Sequence, residues 1–224
     1  MELALRPKSI HRSTGWIIGG GAVLSVLLML RHPSIQSHTM AGAIAQIGEK
    51  AVVNAWVHGG LIATIVAVFA GLCGFAQYLG WELTRVRFGA VFYGAGAISL
   101  AGAALINGFI TTGLAATYAG QPEDVVESLK PVFVTCHEVN QTLAQAGTMA
   151  ISIAILAWSM VLIGRGGAAR IIGGLGVAVG VLPIAGLLSG WLRLDVHGMG
   201  IVVLLQAVWN LGVGIWCSTR QAQG

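Results

Sequence analysis

The chain has 224 residues, of which 56% are hydrophobic and 9% charged, with a formal net charge of +4. The charged share is far below the roughly 25% of soluble domains, and a mean hydropathy of +0.82 excludes a soluble fold. The excess of basic residues does not indicate nucleic-acid binding, because the lysines and arginines are scattered at the ends of apolar runs rather than gathered into a patch.

Apolar runs of some twenty residues recur along the chain, each long enough to cross a hydrocarbon core of about 30 Å as a helix. The first covers residues 15–31 behind a basic leader. Arg31-His32-Pro33 follows it directly with no small-residue cleavage site, so an uncleaved first helix is expected. In the next loop Met40, Ile44 and Ile47 recur at helical spacing opposite Ser37, Gln46 and Glu49, the pattern of a short amphipathic helix on a membrane surface; a plain connector fits as well.

The second run, 52–79, opens with Val57-His58-Gly59, and the third, 88–118, carries Asn107 and Thr111 one turn apart. Both are nearly continuous apolar stretches rich in Ala and Gly, which rejects a β-barrel of alternating strands. Gln121-Pro122-Glu123-Asp124 then supplies a proline and two acids suited to a first helical turn, so the fourth helix is expected to begin before the bilayer. The fourth run, 131–163, opens with Cys136-His137-Glu138, and His137, Gln141, Gln145 and Thr148 follow one another at helical steps. The fifth covers 169–190. The sixth, 196–217, opens with Val196-His197-Gly198 and carries Met199, Gln206 and Asn210 on one face.

These readings predict an all-α integral membrane protein, a single bundle of six transmembrane helices over residues 1–224. Eight of the twelve Lys and Arg fall on the side of the Trp81–Arg87 and Gly164–Arg170 loops, including Arg6, Lys8 and Arg220 near the chain ends. The positive-inside rule then puts both termini in the cytoplasm, with a bacterial inner membrane as the expected location. Trp16, Trp81, Trp158 and Trp216 fall at the inner interface and Trp56 and Trp191 at the outer one, as aromatic belts. Pairs such as Gly15 with Gly19 and Gly176 with Gly180 suit close helix contacts.

His58, His137 and His197 lie 19–23 residues from the inner tryptophans of their helices, about 30 Å along each axis. Three imidazoles at one level on three helices could share a transition metal, copper, zinc or iron, near the periplasmic face. Glu138, Asp195 and Glu49, near the same face, would fix an imidazole tautomer from behind or join as additional ligands. Asn107, Gln141, Gln145, Gln206 and Asn210 would line a polar cavity for a head group, a quinone or water. The plainer reading is that each imidazole sits at the interface and bonds to a loop carbonyl or water.

Two other functions compete with a metalloprotein: a subunit with one haem b held by two of the histidines, and a cofactor-free transporter or assembly partner of a membrane complex or homo-oligomer. No HExxH, HxxxH or CxxC spacing occurs, so the sequence names no reaction and leaves enzymatic activity open. Cys73, Cys136 and Cys217 are odd in number and at three depths, which implies no disulfide framework.

Overall fold

A computed structural model describes residues 7–37 and 39–219; Arg6 and Arg220, counted above in the charge asymmetry, lie outside the described residues. The described residues are helical, with no strand among them. The elements are α1 (Pro7–Met29), α2 (Met40–Glu49), α3 (Ala51–Gly80), α4 (Thr84–Leu105), a π-helical turn (Ile106–Thr111), α5 (Thr112–Tyr118), α6 (Glu123–Ser128), α7 (Lys130–Arg165), α8 (Gly167–Leu188) and α9 (Val196–Thr219). Six helical segments among them are long and apolar enough to cross a membrane, α4, the π turn and α5 forming one continuous segment, Thr84–Tyr118.

The six long segments stand in a ring. Each packs on its neighbours in the chain, and α9 returns to α1, so the first and last helices close the ring. Some of the links are short, while those after α1 and α5 carry α2 and α6. The link from α7 to α8 is a tight reversal at Gly166 and Gly167, whose φ values of 75° and 54° lie in the left-handed region that only glycine enters freely. Glycine also closes the seam between the first and last helices. A Cβ on Gly214 would come 2.8 Å from the Gly15 carbonyl and 3.1 Å from the Gly19 amide, so these backbones touch directly. The outer surface of the ring is apolar, with Trp56, Ile98, Ile171 and Leu188 each more than 70% exposed, as contact with lipid requires.

The interior divides in two along the helix axes. At the end marked by Trp81 it is plugged by aromatic rings: Phe75 meets Trp158, Trp209 and Trp216 edge-on at 6.0, 6.2 and 6.4 Å between centroids, and Trp158 stacks between Tyr93 and Trp209. Trp158 donates its indole N–H to the Val86 carbonyl at 3.1 Å. Trp158 and Trp216 are therefore core residues rather than members of an interfacial belt, whereas Trp16, Trp56, Trp81 and Trp191 are exposed. Arg165, ending α7, lays its guanidinium over the Tyr78 ring and donates to the Leu79 carbonyl at 2.6 Å, satisfying the last turn of α3.

At the opposite end, α2 forms as the spacing of Met40, Ile44 and Ile47 predicts. Thr39 caps it by accepting from the Gly42 amide at 3.2 Å. Its apolar face is covered by protein: Ile44 is buried against Ala115 of α5 and Val126 of α6, with Phe133 beside them. Pro122 precedes α6, and α7 restarts at Lys130 with Pro131 in its first turn.

Candidate functional site

Between the aromatic plug and α2 the ring is hollow, with a cavity of about 540 Å³. Its walls come from α1, α3, α4 and the π turn, α7 and α9, and from the loop after α1. From Asn54 to Val68 its α3 wall covers about 21 Å of axial rise. Leu61, Ile65, Leu100, Ala103, Ala144 and Val203 make the apolar part of the lining.

The polar groups cluster around His58, which is 4% exposed. Its Nδ1 lies 2.9 Å from the Asn54 carbonyl, one turn back. A carbonyl can only accept, so Nδ1 carries the proton and Nε2 presents a lone pair to the cavity. Asn54 is itself held: its amide donates to Thr112 Oγ1 at 2.6 Å and to the Asn107 carbonyl at 3.3 Å. Thr112 Oγ1 in turn donates to that same carbonyl at 2.9 Å. The Asn107 carbonyl thus finds two side-chain donors within the widened π turn, and such turns recur at functional sites. The π turn also brings Asn107 Nδ2 within 3.2 Å of His58 Nε2 and lays Gly108 flat on the imidazole, where a Cβ would collide with His58 Cβ and Cγ.

The second imidazole is His32, from the loop after α1. Its Nδ1 donates to the Pro33 carbonyl at 3.0 Å, and its Nε2 faces His58 Nε2 at 3.4 Å. Burial holds the His32 pKa below its ordinary value, against a smaller opposing pull from the Pro33 carbonyl, so the ring is neutral near pH 7. The loop carrying His32 is fastened to the helix behind it: Lys50 Nζ donates to the Ser34 carbonyl at 2.9 Å, and Gln46 Oε1 accepts from the Gln36 amide at 3.0 Å.

The remaining residues singled out in the sequence take different places. His137, Gln141, Asp195, Met199, Gln206 and Asn210 line the cavity with His58 and Asn107, whereas His197, Glu138, Glu49 and Gln145 are exposed and outside its lining. His58 and His137 thus share one cavity, and His197 stands outside its lining. Among the described residues no three or more His, Cys, Asp or Glu converge as a metal cluster. Gln141 Nε2 donates to the Leu194 carbonyl at 3.2 Å, and Asp195 Oδ1 accepts from the Gly198 amide at 2.8 Å, capping α9. Deeper in the cavity Gln206 Nε2 and Asn210 Oδ1 are buried with no hydrogen-bond partner. Buried polar groups are nearly always paired, so Gln206 and Asn210 keep hydrogen-bonding capacity that a side-chain rotation could turn toward water or a bound molecule.

Sequence reading missed His32, Asn54 and Thr112. The available signals were His32 beside Pro33 at the end of an apolar run and Asn54 one turn before His58. Comparison with protein families, with characterised proteins and with solved structures finds nothing similar to this chain.

Proposed function

We propose that this chain is a multi-pass protein of an inner membrane, with both ends cytoplasmic, that holds an amphiphilic small molecule inside its helix ring. The observation that carries the reading is a 540 Å³ cavity lined largely by apolar side chains, with His58, Asn107, Gln206 and Asn210 among its few polar wall residues. Ligand sites have this composition: an apolar enclosure of about 300–1,000 Å³ with a few convergent polar groups. The ligand has an apolar body that fits between Leu61, Leu100 and Ala144. Its hydrogen-bonding groups meet Gln206 and Asn210 at one end or His58 and Asn107 at the other, which is the chemistry of a quinone or a lipid head group. The topology rests on the concentration of Lys and Arg at the Trp81 end.

The test is extraction of protein purified in mild detergent, with mass spectrometry of the organic phase. It is run beside Ala144→Phe, which fills the cavity from α7, and Gln206→Leu/Asn210→Leu, which removes the unpaired groups. A single small-molecule class should co-purify with the wild type at about one per chain and be lost from both variants. An empty wild type, or equal recovery from the filled variant, overturns the reading in favour of a water-filled cavity. Labelling of a Gln121→Cys variant by an impermeant thiol reagent in spheroplasts checks the topology; protection of that residue reverses it.

A further inference from the structure

We propose that His32 and His58 form a binding site for one late first-row divalent ion, zinc or copper, at the α2 end of the cavity. Both rings have their Nδ1 tied to a backbone carbonyl, His32 to Pro33 and His58 to Asn54, which fixes the tautomer and makes each Nε2 an acceptor, that of His58 taking the Asn107 Nδ2 amide at 3.2 Å. That is the arrangement by which metal-binding histidines are oriented from behind. The two acceptor nitrogens then face each other at 3.4 Å. Two nitrogens at about 2.0–2.1 Å from one tetrahedral ion stand about 3.3–3.4 Å apart, so the pair already has the bite of a metal site.

A shared proton is the competing cation, and the ring geometry disfavours it. A proton held between two imidazoles wants a short, near-linear contact of about 3.2 Å or less. Here the nitrogens are further apart, and the ring centroids are 4.9 Å apart with planes at 67°. The centroid separation exceeds the nitrogen separation by less than two ring radii, so the lone pairs are bent away from a head-on line.

The supporting residues are organised in advance. Asn54 is locked by Thr112 and Asn107, and the His32 loop by Lys50 and Gln46. Asn107 Nδ2 donates to His58 Nε2 at 3.2 Å, and an ion taking that lone pair displaces the donor, so that turning the side-chain amide over offers Oδ1 as a third ligand. Further positions open to the cavity, where water or the bound molecule completes the shell. Imidazole and amide donors without thiolate suit zinc and copper, not calcium or magnesium.

The experiment uses the full chain in detergent without an oligohistidine tag, stripped with chelator and then titrated with Zn²⁺ and with Cu²⁺. One ion per chain should survive desalting, and the copper form should show nitrogen splitting in its electron paramagnetic resonance spectrum. His32→Ala and His58→Gln should each weaken binding at least roughly tenfold, the scale of disturbing a metal-histidine shell, while His197→Ala binds like wild type. His32 is in a loop, so His32→Ala keeps the test decisive even if His58→Gln does not fold. Absence of a stoichiometric ion, or undiminished binding by folded His32→Ala, overturns the proposal.

Discussion

His58 shows how much of a site is made by residues that touch nothing but other protein groups. Its orientation comes from the Asn54 carbonyl, and Asn54 is kept in place by Thr112 and the Asn107 carbonyl. Thr112→Val keeps the shape and removes the hydroxyl that joins them. With Asn54 left short of an acceptor and the Asn107 carbonyl short of a donor, folding stability measured by denaturant titration in detergent should fall by about 1–3 kcal/mol. Gly108→Ala acts on the same ring sterically. Its new methyl enters the space of His58 Cβ, so a loss of about 1–3 kcal/mol is expected, with ion binding weakened although no ligand is changed. A Gly108→Ala protein with wild-type stability would show that the contact yields freely.

At this scale the sequence was readable in part. His58 and Asn107 stand out because a buried polar side chain in an apolar run is costly and therefore conspicuous. His197 shared their predicted depth, yet it is exposed and outside the cavity lining. Counting residues gives height along an axis and says nothing of azimuth, which moves about 100° per residue. Gln145 illustrates the same point within one helix. Each step of four overshoots a turn by about 40°, so after His137 and Gln141 the next step carries Gln145 off the inward stripe, while the step of three returns Thr148 to it. His32 was hidden for a different reason: it sits in an irregular loop, and its partner is 26 positions away.

At the level of elements, the helices themselves were legible. Five of the six expected spans match the observed helices within about four residues at each end, because apolar length is a one-dimensional quantity that the sequence states directly. The π turn within Thr84–Tyr118 was not, since no residue pattern encodes an extra residue per turn. Nor was the aromatic plug, for depth again concealed direction: Trp158 sits at an interfacial height and points inward. Trp158→Ala should cost roughly 3–5 kcal/mol, as large-to-small changes in packed cores do, because it removes two stacking contacts and leaves the Val86 carbonyl without its indole donor. Thermal unfolding followed by near-ultraviolet dichroism reads this loss, and an unchanged midpoint would mean the plug does not hold the ring closed.

For the whole molecule, the ring places two features in series along its axis, a hollow half and a half packed solid with aromatic rings. Cavity filling and plug disruption should therefore separate experimentally: Ala144→Phe should abolish recovery of the proposed ligand at an overpacking cost of about 1–3 kcal/mol, whereas Trp158→Ala should destabilise more and leave the walls of the cavity chemically intact. The seam between α1 and α9 can be tested in the same way. Gly214→Val pushes a side chain into the Gly15 carbonyl and should lower the unfolding midpoint through about 1–3 kcal/mol of overpacking, with no effect expected from the same change at Gly174, whose Cβ would meet open space.

That seam also sets the order in which the protein can be assembled. The helix made first, α1, has one flank covered as soon as α3 emerges, but its glycine-lined flank waits for α9, the last long helix of the chain. During synthesis the half-made ring is an open arc with a ready-made cleft at its leading edge, and the cavity acquires its final wall only when Gln206 and Asn210 arrive. The cavity is thus complete only once α9 is in place, and a chain stalled before α9 leaves the glycine-lined flank of α1 uncovered.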